Sequence, residues 1–215
     1  MVMASDPSSR WWRWHLDYDD PASELSQRLT VVQARLRDAV ASAPPGPVRL
    51  VSACAGQCRD VVGAVAGHVR AGEVTGRMVE RDADNANAAR RALARNDLHR
   101  IEVVEGDASR TDVYRDVVPA DVLLLCGIFG NVSDGEVERT VRNASLLCAT
   151  GTLVIWTRHR RPPDLTPAIR NWFDESGFEE LHFDSPADQS FAVGTHRLVD
   201  APLPFTSGLR LFTFR

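Results

Sequence analysis

Apolar positions along this chain fall alternately into helical spacings and short continuous runs. Leu25, Leu29, Val32, Leu36 and Val40 recur on one helical face, and Asp20-Pro21 ahead of them predicts the helix start, proline being suited to a first helical position. The segment APPGP ends that helix. VRLVSA (48–53) reads as a buried strand rich in β-branched residues, and RDVVGAVAGHV as the helix that follows it. The alternation repeats with a strand at GRMVE (76–80), an alanine-rich helix from Asp84 to Asn96, and strands at IEVVEG (101–106) and DVLLLCGIF (121–129). Ser133, with Glu136 three residues on, is a capping box for a helix that carries Val137, Val141, Leu146 and Leu147 inward. TLVIWT (152–157), a helix over 166–177 and three strand-like runs near 178–183, 190–199 and 209–214 complete the pattern.

Strands alternating with helices at this spacing predict an α/β protein: a doubly wound, Rossmann-like, mostly parallel seven-stranded sheet with helices on both faces. The strand-rich end without intervening helices predicts an antiparallel edge. A chain of 215 residues suffices for one domain with a full core. Within it, residues 1–44 form an aromatic segment (Trp11, Trp12, Trp14, His15, Tyr18) and a helix, a candidate lid, while 45–215 carry the α/β domain.

Composition narrows the function classes. With 44% hydrophobic and 25% charged residues, no apolar run of bilayer length and no signal-peptide core, the expectation is a cytoplasmic protein without a membrane partner. A net charge of −4 makes nucleic acid an unlikely partner, and the use of arginine for all 25 basic residues reads as genome composition. Cys54, Cys58, Cys126 and Cys148 read as reduced, small hydrophobic residues. Cys54 and Cys58 have no second Cys/His pair nearby, so no metal site is expected. The sequence carries no signature of a particular oligomeric state.

In an open doubly wound sheet, ligands bind beyond the carboxyl ends of the strands. Ala55-Gly56-Gln57-Cys58 after the first strand is a turn of small residues that lets backbone N–H groups approach a ligand. Glu80 ends the second strand, 24 positions after Gly56, near the spacing at which dinucleotide folds place a ribose-binding acid. Gly106-Asp107-Ala108 follows the third, where a carboxylate and adjacent backbone suit an adenine edge. Cys126-Gly127-Ile128-Phe129-Gly130-Asn131 follows the fourth, as the floor of a substrate pocket. Each alone has an ordinary structural explanation; their succession along one sheet points to a cofactor.

With SACAGQCRD, ERDADN, EGDA, GIFGNVSD and VIWTRHR in these places, residues 45 to 200 resemble class I S-adenosylmethionine-dependent methyltransferases, in particular a subgroup of small bacterial ones. The resemblance implies S-adenosyl-L-methionine as cofactor, with Ser52, Cys54, Ala55, Gly56, Glu80, Arg81, Asp107, Ala108, Cys126 and Gly127 around it. Ser52, Cys54, Gly56 and Cys58 stand where that family has an acid followed by Gly-x-Gly-x-Gly. The lost acid leaves the cofactor's ammonium group to another carboxylate, for which Asp17, Asp19 and Asp20 are candidates.

The implied reaction is an in-line displacement in which orientation and desolvation contribute most. Candidate catalytic groups are His15, Tyr18 and His159, and candidate substrate contacts are Trp14, Phe129, Asn131 and Arg158, the last in an arginine-rich rim with Arg160 and Arg161. The expected acceptor is a small molecule. Alternatives are a non-catalytic cofactor-binding or scaffold protein, suggested by the altered loop, an RNA methyltransferase, suggested by residues 158–161, and an NAD-dependent oxidoreductase, against which the missing Gly-x-Gly-x-x-Gly stands.

Overall fold

The computed structural model describes residues 15–215, so Trp11, Trp12 and Trp14 lie outside the described residues. His15 enters only as the first residue of a 3-10 turn, His15–Asp19. Five helices follow: α1 (Glu24–Ser42), α2 (Arg59–Val65), α3 (Ala83–Arg95), α4 (Asp134–Arg142) and α5 (Thr166–Glu175). The strands are β1 (Val48–Ala53), β2 (Val74–Glu80), β3 (Ile101–Glu105), β4 (Ala120–Leu125), β5 (Cys148–His159), β6 (Phe178–Asp184) and β7 (Phe191–Leu198).

Local chemistry sets the helix starts. Ser23, Asp82 and Ser133 each accept a hydrogen bond from a backbone N–H of the first turn, at Ser26, Asn85 and Glu136. The first helix therefore begins at Glu24 behind a serine cap, and Pro21 lies in the turn before it rather than inside the helix. Asn143 caps α4, and Leu146 and Leu147 point inward from a separate 3-10 turn, Ala144–Leu147, instead of from the helix itself.

The sheet runs β3-β2-β1-β4-β5-β7-β6. The first five strands in that order are parallel, and β7 lies antiparallel to both β5 and β6. α1, α2 and α3 pack on one face through Leu36, Val61 and Ala89, and α4 and α5 on the other through Val137, Val141 and Phe173. Residues 209–214 form no strand. They touch the loops after β3 and β4 through isolated bridges, Arg110 to Arg210 and Val132 to Phe214, instead of lying along a sheet edge, and bury Leu211 and Phe212 there. Among the described residues no helix is long and apolar enough to cross a membrane.

Trp156, fully buried, organises the second face: its ring packs on Phe129, Phe173 and Phe183. Gly194, its antiparallel partner on β7, makes that possible, since a Cβ there would lie 2.2 Å from the indole. Gly194→Ala is expected to destabilise the fold by about 2 kcal/mol through overpacking, read as a lower urea midpoint at unchanged slope.

Candidate functional site

Because β1 has β2 on one side and β4 on the other, the chain reverses its winding there, and a crevice opens beyond the carboxyl ends of β1 and β4. The loop leaving β1 enters it in an unusual conformation. Cys54 (φ +58°), Gly56 (φ +54°) and Cys58 (φ +56°) are all left-handed. For the two cysteines this costs about 1 kcal/mol each, where glycine would be free of it. The loop is held by Ala55 N–H to the Val79 carbonyl (2.9 Å) and Cys58 N–H to that of Ala55 (2.9 Å). Burial, with the nearby charges of Glu80 and Asp107, pushes the Cys54 thiol well up, and burial does the same to Cys58, so both stay neutral.

Glu80 lies at the tip of β2 with both carboxylate oxygens engaged: one accepts from Gly56 N–H at 2.7 Å, the other from Asp82 N–H at 2.8 Å. It clamps the β1 loop to the start of α3. Burial raises its pKa above the ordinary value against these hydrogen bonds. Arg81 beside it is exposed. Asp107, after β3, accepts from the Ser109 N–H (3.0 Å) and hydroxyl (2.6 Å), and its other oxygen meets Arg210 at 3.3 Å. Burial raises its pKa, but these bonds and the arginine charges outweigh it and leave the group below its usual range. The Ala108 carbonyl is fixed by the buried Tyr114 hydroxyl at 2.7 Å.

Beyond β4, Gly127 (φ +77°) donates its N–H to the Thr157 hydroxyl at 3.0 Å. Its carbonyl accepts from the Asn131 side chain at 2.7 Å, so Asn131 serves to fold this loop. Cys126 is half-buried, its thiol held protonated by burial and by the charge of Asp60. Three of the sequence candidates sit elsewhere than the crevice. Ser52 is 1% exposed within β1, Phe129 is buried against Trp156, and Arg158 is buried, donating to the Phe129 carbonyl and lying 3.7 Å from Asp134.

Tyr18 and Asp19, in the turn before α1, lie over the same end of the sheet. Asp19 pairs with Arg59 at 2.8 Å, and the Arg59 guanidinium covers the Tyr18 ring at 5.3 Å. Asp20 caps the turn through Ala22 N–H, and Asp17 is exposed, so of the three aspartates Asp19 alone reaches the loop helix. The Tyr18 hydroxyl, its pKa raised by burial, hydrogen-bonds Arg28 and feels the charge of Asp60. Asp60, in the first turn of α2, has its pKa pushed up by burial to about 6 in spite of hydrogen bonds from its own and the Val61 N–H.

His159, at the end of β5, opens onto a cleft of about 240 Å³ between that strand end and the start of α1. Arg28, Arg161, Glu24, Asp17, Leu25 and Phe191 line it. Burial, then the charges of Arg158 and Arg161, lowers the pKa of His159 and keeps its imidazole neutral. Its buried Nδ1 has no partner among the described residues.

Sequence reading missed Asp60, Arg28 and Arg210. An acid in a first helical turn reads as an ordinary solvated residue, and nothing local announces that Arg210 pairs with a residue 103 positions earlier.

Compared by sequence, the chain matches no family model and no curated protein. Its fold is shared with solved structures. A "possible exported protein" from Bordetella parapertussis is 15% identical with TM-score 0.64, over 81% of this chain and 68% of its own. An O-methyltransferase family protein from Burkholderia thailandensis is 14% identical with TM-score 0.61, over 93% and 74%. An rRNA methylase from Streptococcus thermophilus is 10% identical with TM-score 0.58, over 77% and 95%. The architecture shared with them is a sheet of mostly parallel strands with an antiparallel edge and helices on both faces.

Proposed function

We propose that the protein is a cytoplasmic enzyme that transfers a methyl group from S-adenosyl-L-methionine to a small-molecule acceptor. One observation carries this reading: a left-handed loop, Glu80 and Asp107 stand at the tips of three adjacent strands beside the β1/β4 crevice. Each Glu80 oxygen keeps a second lone pair, enough to accept two ribose hydroxyls while still holding Gly56 and Asp82. Asp107 and the Ala108 backbone suit the adenine edge, and Cys54 to Gly56 with Cys126 and Gly127 suit the methionine part. With Ser52 inside the core, Asp60 takes over as the carboxylate for the ammonium group, ahead of Asp17, Asp19 and Asp20.

The cofactor, when bound, supplies a methyl group on a sulfonium. This chain's residues hold the acceptor in line and exclude water. His159, half-buried and kept neutral by desolvation and the arginine charges beside it, can accept a proton from the acceptor. Tyr18, kept protonated by burial, positions a polar group through its hydroxyl. His15, whose side chain is not described, retains only its place at the start of the covering turn.

The O-methyltransferase resemblance favours a small acceptor, and the net charge of −4 disfavours an RNA backbone despite the rRNA methylase among the similar folds. Isothermal titration with S-adenosylmethionine and S-adenosylhomocysteine tests the reading: saturable one-to-one heat is expected, and neither heat nor a melting shift with either ligand in large excess overturns it. A second reading, cofactor binding without turnover, is favoured by the strained cysteines of the loop. A methylated product from a panel of small acceptors excludes it.

A further inference from the structure

We infer that the cleft beside His159 is a recognition site for a small anionic acceptor, whose carboxylate or phosphate lies between Arg161 and Arg28 and whose neighbouring polar group faces His159. This deepens the methyl-transfer reading and rests on it.

The three arginines at the end of β5 are not equivalent. Arg158 is buried and engaged with the Phe129 carbonyl, and Arg160 is paired with Asp164 at 3.3 Å. Arg161 lines the cleft, is exposed, and makes no ion pair among the described residues. Arg28 faces it from α1, bringing a second guanidinium from a different element, and planar guanidinium forks match carboxylate and phosphate oxygens.

Two acids share the cleft with the arginines, and the charge of Glu24 acts on both Arg161 and Arg28. Both oxygens of Glu24 are taken by Ser190, from the N–H at 2.7 Å and the hydroxyl at 2.5 Å, which ties α1 to the start of β7. Asp17, an exposed residue, lines the cleft as well. Leu25 and Phe191 offer an apolar wall, and a volume of about 240 Å³ is below the usual range for drug-sized ligands, selecting a compact body such as a single ring. His159 lines the cleft, and its Nδ1, buried behind the cleft wall, has no partner among the described residues. Arg28 also connects the cleft to the proposed cofactor loop, since its charge reaches Tyr18, Asp60 and Cys126.

Calorimetric titration of the full chain with benzoate, phenyl phosphate and uncharged benzyl alcohol tests the assignment, with Arg161→Gln alongside. At least one anionic probe is expected to saturate the wild type, benzyl alcohol to bind at least about tenfold more weakly, and Arg161→Gln to lose about tenfold for the anion, as removal of one charged hydrogen-bond partner implies. The choice between benzoate and phenyl phosphate identifies the anion. Absence of anion binding, equal binding of benzyl alcohol, an unaffected Arg161→Gln variant, or displacement of the probe by a short RNA each overturns the inference. S-adenosylhomocysteine titrated into Arg161→Gln separates the two readings: unchanged cofactor affinity with lost anion binding locates the defect in the cleft. An Arg161-dependent anion site in a chain that binds no adenosyl ligand leaves the site and removes the methyl-transfer reading.

Discussion

Glu80→Ala is expected to weaken S-adenosylhomocysteine binding about a hundredfold, or about 3 kcal/mol. Two losses combine. The substitution removes the acceptor proposed for the ribose hydroxyls, and it frees the Gly56 and Asp82 N–H groups, whose bonds at 2.7 and 2.8 Å hold the β1 loop and the start of α3 together. Gly56 lies between two cysteines already in left-handed conformations, so a loop released there relaxes away from the ligand-bound shape. Glu80→Gln recovers little of the affinity, because its amide NH2 must face one of those two N–H donors. An Alanine variant that binds as tightly as the wild type assigns the ribose to another group and dissolves the site.

The parts of this site legible in the sequence are those with a local physical signature. Apolar, β-branched runs between turns gave the strand positions, and from the strand ends Glu80 and Asp107 followed at once. The left-handed φ of Cys54 and Cys58 was not legible, since cysteine has no preference for that region and only the packing of loop against β2 imposes it. Phe129 reads as a loop residue, yet the turn at Gly127 folds it back under Trp156. The strand-like run at 209–214 has the apolar pattern of an edge, but its backbone partners are Ser109, Thr111 and Asn131 in two loops, which no periodicity encodes. The arginines at 158 to 161 looked alike, and three different surroundings give them three different tasks.

Two groups with opposed titrations, one buried and one half-buried, give the second large effect. His196 is 1% exposed, accepts from the Trp156 indole N–H at 3.1 Å and stacks on Phe173. Burial lowers its pKa from 6.5 to about 4. Between those values the unfolded chain takes up a proton that the folded chain refuses, so stability present above pH 6.5 is lost as pH falls toward 4, by about 3 kcal/mol. Asp60 behaves in the reverse sense, its pKa rising from 3.8 to about 6. Its contribution is complete below pH 3.8 and lost as pH rises through 6, again by about 3 kcal/mol.

The two slopes oppose each other between pH 4 and 6, with Glu80 adding to the sense of Asp60 and His159 to that of His196. His196→Gln is expected to unmask the rise in stability on acidification, and Asp60→Asn the fall, each by about 3 kcal/mol in urea titrations across that window. The slope with pH, not the absolute stability, is the readout, because the carboxylates held below their usual range by ion pairs and hydrogen bonds act at lower pH. At neutral pH, Asp60→Asn is also expected to raise stability, since it removes a charge that burial opposes, while weakening S-adenosylhomocysteine binding. On the proposed function, a destabilising charge kept beside the crevice trades stability for recognition. Parallel pH slopes in Asp60→Asn and the wild type show that Asp60 does not set the slope, and an Asp60→Asn variant that gains stability yet keeps full affinity shows that the carboxylate takes no part in ligand binding.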